Sequence, residues 1–319
     1  MYHYPKYTAL PFVFSVLFLL SCGGAGNTNR TTLSSEASNI ELKYSSTIGP
    51  LIKGTAQLNS PVDVAFDVDG NLFICDNGNS RIIKLDPIRN FSRDIGGFGS
   101  GNEQLSDPSG ICFDHGLTLM VADSHKREIK RFDRNLNFID SYFEYKTSDG
   151  SFKDIGSPQS VYVSRQGDIY IGESENNRVL ILDGFYGFHA EVGGFGYGNG
   201  ELNYPGGMAT GRSDYLFVAD SRNGRIAVYN NIGEYLGEFG NDRLRYPVDL
   251  VVEQRGLILV TDRELKSVLV FSQDGVLIVD SAEQGILFSE PAGIAVSTDN
   301  MVYVADRHQN IIVVLEIIR

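Results

Sequence analysis

The chain has 319 residues, 42% of them hydrophobic, and carries a formal net charge of −13. A strongly acidic exterior repels phosphates, whereas nucleic-acid recognition needs a basic face that releases counterions, so nucleic acid is not an expected partner. Acidity also suits a plain soluble surface and by itself selects no ligand.

The first 21 residues read as a signal peptide. The apolar run from Ala9 to Leu20 follows a short segment carrying Lys6, and it is too short to span a bilayer, which takes about 20 residues. It leads into Leu19-Leu20-Ser21-Cys22-Gly23. The four residues ending at Cys22 resemble a bacterial lipobox, which implies lipidation of Cys22, its place as mature N-terminus and a lipid-anchored cell-envelope protein. A Gly rather than Asp after that cysteine implies delivery to the outer membrane. The alternative is an ordinary secretory signal with a cysteine at its end. Cleavage before Cys22 removes Lys6 alone among charged side chains and takes the charge from −13 to −14. Residues 22–40 hold mostly Gly, Ser, Thr and Asn behind the cysteine, the composition of a flexible tether with a reach of roughly 20–25 Å.

From residue 41 onward the chain repeats. A proline and an acid stand fifteen apart six times: Pro61 and Asp76, Pro108 and Asp123, Pro158 and Glu173, Pro205 and Asp220, Pro247 and Asp262, Pro291 and Asp306. Successive prolines are 42 to 50 residues apart, a period at which repeat architectures occur. Two residues before the acid stand Ile74, Val121, Ile171, Val218, Val260 and Val304, and the positions four before it are equally apolar. Six after the acid come Ile82, Ile129, Val179, Ile226, Val268 and Ile312. Period-two alternation of β-branched residues, punctuated by Gly, Asn and Asp, predicts short strands joined by turns.

Each copy supplies a strand after its proline, a second ending at the acid, a third about five residues beyond it and, in most copies, room for a fourth. The expected fold is all-β: a six-bladed β-propeller of four-stranded antiparallel blades over 41–319. The residue before each acid is small (Cys75, Ala122, Gly172, Ala219, Thr261, Ala305), which suits face-to-face packing of blades. The sixth copy ends at Arg319, four residues past Leu315, with no room for its last strand. An N-terminal strand within Glu41 to Lys53 is expected to close the ring, because an open edge invites pairing with other chains.

Tyr204 to Val228 contains Pro205-Gly206-Gly207, Leu216-Phe217-Val218-Ala219-Asp220 and Asn223-Gly224-Arg225-Ile226, and this pattern resembles the NHL repeat. Gly97 to Leu105 and Gly194 to Leu202 are similar to that family's glycine-rich inter-blade link. The resemblance implies the propeller. It leaves the activity open, since the family includes protein- and RNA-binding modules, a zinc- and calcium-dependent amidating lyase and bacterial envelope proteins, and function resides in sites placed on folds.

In propellers of this family the turn between second and third strands shares a face with the inter-blade link, so six turns ring one mouth of the channel. Two residues after the acid these turns carry Gly78, His125, Glu175, Arg222, Glu264 and His308, and the last five are the candidate binding residues. Histidine raises zinc, but His115 and His189 are expected away from the mouth, which leaves two histidines where a catalytic zinc site of the lyase type uses three. Two residues after the proline stand Asp63, Gly110, Ser160, Gly207, Asp249 and Gly293. Asp63 and Asp249 would project near the axis, where paired carboxylates and channel waters could hold a divalent cation such as Ca²⁺. The alternative is that each binds nearby backbone amides as a turn residue does.

The six acids of the repeat are expected to be structural. A group needed once for catalysis would not recur in every blade, and Asp76 with Arg81, Glu173 with Arg178 and Asp220 with Arg225 share a spacing of five that suggests bridges holding the turn. Cys75 and Cys112 fall in slim packing columns, and whether they are bonded stays open. The Gly-rich links lead into strands rather than helices, so nucleotide binding is not expected, and no G-x-S-x-G elbow is present. The reading that follows is a rigid propeller face binding a protein, peptide or glycan without catalysis. The alternative is a metal-assisted lyase or hydrolase at the channel mouth.

Overall fold

The structure is a computed structural model and describes residues 40–319 except Gly116 and Arg212. The signal peptide, Cys22 and the tether up to residue 39 lie outside the described residues. Ile40, the last residue of the expected tether, already packs against the core between the fifth and sixth blades. No helix among the described residues is long and apolar enough to cross a membrane.

Six four-stranded antiparallel sheets make a propeller. Blade one comprises Pro61–Phe66, Leu72–Asp76, Arg81–Leu85 and Phe91–Gly96, and blades two to five repeat that plan from Pro108, Pro158, Pro205 and Pro247. Blade six takes Pro291–Val296, Met301–Asp306 and Ile311–Ile318 from the C-terminal end of the chain, and its outer strand is Glu41–Ile48. That strand pairs antiparallel with Ile311–Ile318, Glu41 opposite Ile318, so the N-terminal strand completes the sixth blade as expected.

The fifteen-residue spacing is a hairpin register. In every blade the proline that begins the first strand lies opposite the acid that ends the second, from Pro61 with Asp76 to Pro291 with Asp306. Proline has no N–H for the ladder and is tolerated at a strand's first residue. A register shift follows each of the six prolines, and such bulges bend the strand locally.

All six acids are fully buried, and each fastens the link that precedes its proline. Asp76 accepts the Asn59 amide at 2.7 Å, Glu173 that of Gly156 at 2.6 Å and Asp220 that of Asn203 at 2.7 Å. In these three blades the second oxygen takes an arginine Nε: Arg81 at 2.7 Å, Arg178 at 2.5 Å and Arg225 at 2.8 Å. The other three blades lack the arginine, and turn amides replace it: Lys126 to Asp123 at 3.1 Å, Leu265 to Asp262 at 2.9 Å and Gln309 to Asp306 at 3.1 Å. A buried carboxylate is tolerable only when its charge is met by such donors.

Six apolar clusters form the core, one between each pair of neighbouring blades. Ile74 and Ile83 of blade one meet Ala305 and Ile312 of blade six, while Phe73 and Ile82 face Ile111 and Val121 of blade two. Second strands are therefore buried on both faces, and all five residues of Leu72–Asp76 are inaccessible. Full burial of each such side chain contributes about 1.5–3 kcal/mol, so removing one blade interface would expose a large apolar area.

Between blades two and three an additional hairpin, Glu144–Lys146 with Phe152–Asp154, accounts for the longest proline spacing, and the repeat pattern did not reveal it. Cys75 and Cys112 are free thiols. The Cys75 thiol donates to the Pro108 carbonyl at 3.2 Å, and burial pushes Cys112 up to about 12, so both serve as small packing groups rather than nucleophiles.

Candidate functional site at the channel mouth

The first strands of the blades enclose an axial cavity of about 140 Å³. The position two after each proline lines it in all six blades: Asp63, Gly110, Ser160, Gly207, Asp249 and Gly293. The sequence column thus marks the channel wall, and Asp63 and Asp249 face one space.

Each aspartate joins its own blade to the next. Asp63 accepts the Val64 amide through Oδ1 and the Ile111 amide of blade two through Oδ2, both at 2.7 Å. Asp249 repeats the arrangement with Leu250 at 2.8 Å and Ile294 of blade six at 2.9 Å. The preceding blade contributes glycine beside each carboxylate, because a Cβ at Gly293 or Gly207 would overlap Asp63 or Asp249 Oδ1. Each carboxylate keeps some surface open to the narrow channel. Enclosure by protein nevertheless pushes Asp249 up to about 6, and burial together with the Asp249 charge raises Asp63 well above the usual carboxylate range.

That arrangement is the amide-binding alternative to a cation site. Ca²⁺ takes six to eight oxygens, whereas these two carboxylates already spend both oxygens on N–H donors, and no cluster of three or more His, Cys, Asp or Glu suited to a metal exists among the described residues. The donor set present does not fit a metal centre.

At the mouth the lining belongs to blades four to six. The residues before three prolines, Tyr204, Tyr246 and Glu290, join the residues after three acids, Ser221, Arg263 and Arg307. Arg263 lies over the Tyr246 ring at 4.0 Å, and Arg222 over the Tyr204 ring at 4.8 Å. Arg307 approaches Glu290 at 3.8 Å. The three other blades offer Ser60, Asp107 and Ser157, and Asn77, Ser124 and Ser174, at the equivalent positions, so one half of the rim is aromatic and cationic and the other is small and polar.

Of the five candidate binding residues, Arg222 reaches this arc through Tyr204. Glu175 pairs with Arg127 of blade two at 3.2 Å. His125, Glu264 and His308 stand exposed at the tips of their turns and do not line the cavity. Ser221 is buried and Arg263 and Arg307 are half-buried, while the residue after each is exposed; the lining position is the first residue of the turn and the tip is the second. Sequence reasoning missed Tyr204, Tyr246, Arg263 and Arg307. The signal available was the pair of columns flanking each proline and each acid, where copies four to six depart from small residues.

Residues 58–85 match the NHL repeat. The chain is 29% identical over 134 residues to Protein brain tumor of Drosophila melanogaster, which covers 41% of this chain and 13% of that protein; the chain therefore spans far less than two thirds of this relative's length. Among solved structures it resembles a streptogramin B lyase, with TM-score 0.61, 14% identity and coverage of 88% of this chain and 98% of that one. A gluconolactonase from Xanthomonas campestris gives TM-score 0.63 and 13% identity, covering 90% and 94%. At those identities the likeness extends to the fold alone. The chain is a six-bladed β-propeller with an NHL repeat in its first blade.

Proposed function

We propose that this propeller is a binding scaffold of the bacterial cell envelope, anchored through lipidated Cys22 and presenting its channel mouth to a protein, peptide or glycan. The observation that carries the reading is the one-sided rim: Arg222 on Tyr204, Arg263 on Tyr246, and Arg307 beside Glu290. Aromatic and arginine side chains are the groups that dominate interface energetics, and here they surround the channel mouth rather than filling a core. An NHL-type propeller suits this role because its face is rigid. The test is cross-linking of the full chain in its native envelope, comparing wild type with Arg222→Ala and Arg263→Ala. Loss of the cross-linked partner at unchanged melting temperature supports the reading, and retention by both variants rejects it.

A second reading, a lyase or hydrolase working from the same cavity, is favoured by one observation. Asp249, pushed up to about 6, titrates where a general acid or base is effective near neutral pH. A turnover found in an ester, lactone and cyclic-peptide screen and abolished by Asp249→Asn would select it over a pure scaffold.

A further inference from the structure

We propose, resting on the binding-scaffold reading, that the arginine–tyrosine arc over blades four to six receives the carboxylates of an acidic peptide segment.

Three features of the arc lead there. The guanidinium groups of Arg222 and Arg263 lie over tyrosine rings and meet no carboxylate among the described residues. A ring beneath a guanidinium restrains its position without using its N–H donors, and those donors match a carboxylate bidentately. Arg307 is ion-paired with Glu290 at 3.8 Å, a separation longer than a hydrogen bond. Two guanidinium groups over tyrosines on consecutive blades, with Arg307 of the next blade beside Glu290, form a row rather than a single point, which suits an extended chain with several acidic side chains.

The cationic residues of this face are gathered in its turns. The turns between second and third strands carry Lys126, Arg127, Arg222, Arg263, Lys266 and Arg307 against Glu175 and Glu264, on a chain whose net charge is −13. Turns on the opposite side hold acids such as Asp67, Asp69, Asp86, Asp168, Asp183 and Asp274. The inter-blade links on the same face add acids, among them Glu103, Asp107, Glu201, Asp242, Glu283 and Glu290, so the attraction for a carboxylate is confined to the arginines of the arc.

The same features disfavour a polyphosphate. Asp63 and Asp249 face the cavity under the rim, where they oppose a doubly charged phosphate more strongly than a singly charged carboxylate. A carboxylate carries one charge, and the cavity of about 140 Å³ admits a side chain rather than a folded domain.

The test uses the purified full chain and a fluorescein-labelled octamer of glutamate, with an octamer of glutamine, inorganic phosphate and an oligouridine as comparison probes. The glutamate octamer is expected to bind at least tenfold more tightly than the glutamine octamer. Combined Arg222→Ala, Arg263→Ala and Arg307→Ala should lose at least tenfold at an unchanged melting temperature, and the triple lysine variant should recover part of it. Arg255→Ala, in a turn on the opposite side, should bind as wild type. Equal glutamate binding by wild type and the triple alanine variant, or stronger binding of oligouridine or phosphate, overturns the proposal. If envelope cross-linking still depends on Arg222 and Arg263 while the glutamate octamer fails to bind, the carboxylate inference falls and the scaffold reading stands.

Discussion

Asp249 of blade five accepts the amide of Ile294 in blade six at 2.9 Å, and Asp63 does the same for Ile111 of blade two. These bonds tie neighbouring blades together at the wall of the channel. They also place two carboxylates where charge is poorly solvated.

The stability of the fold should carry the titration of Asp249. A free aspartate titrates near 4, and in the folded chain burial pushes this one up to about 6. Its contribution is therefore complete below about pH 4 and is lost as pH rises through 6, on the order of 3 kcal/mol in all. Asp249→Asn removes that slope at the constant cost of one lost acceptor. Melting temperatures of the pair from pH 4 to 7 should move in the variant's favour as pH rises, and parallel profiles would contradict the assignment.

Two arginines three residues apart should behave oppositely. Arg225 is buried and bonds Asp220, Glu238 and the carbonyls of Gly198 and Glu201, so Arg225→Ala leaves the buried Asp220 charge without its cation, held by Asn203 and Asn223 alone, and should cost about 3–5 kcal/mol. Arg222 is exposed, and Arg222→Ala should stay within about 0.5 kcal/mol. Urea unfolding of both variants checks the contrast.

Removal of residues 41–56 should abolish stable folding. It deletes strand Glu41–Ile48, exposes the edge of Ile311–Ile318 and strips Leu42 from its cluster. An aggregated or unfolded product is expected by light scattering and circular dichroism, because open edges recruit other chains. A soluble truncation with the wild-type melting temperature would refute closure as the source of stability.

Gly207→Ala should destabilise by about 1–3 kcal/mol, since the new Cβ overlaps Asp249 Oδ1 and the carboxylate must leave its amides. Combining it with Asp249→Ala should recover part of that loss. A double-mutant cycle of the two changes measures the coupling.

Much of the candidate site was legible in one respect and hidden in another. The column Asp63, Gly110, Ser160, Gly207, Asp249, Gly293 was visible as the channel wall because each member sits at one offset from a proline, and the hairpin register converts that offset into one depth. The partners of Asp63 and Asp249 were not visible, because Ile111 and Ile294 lie more than forty residues away and belong to the next blade. At the rim, sequence offsets singled out the tips of the turns, while the lining fell to the residue before each tip. A turn's tip faces solvent, and its first residue is still held by the sheet.

The sequence by itself determined the six copies, the strand register, the structural role of the recurring acids and the need for an N-terminal closing strand. All of these follow from local alternation and from spacing along one chain. Only the tertiary structure decided which blades share the rim, which arginines lie over tyrosines, and which amides of the next blade hold the two aspartates. Those depend on sheets packed side by side around an axis, a relation between segments that no periodicity within a repeat encodes.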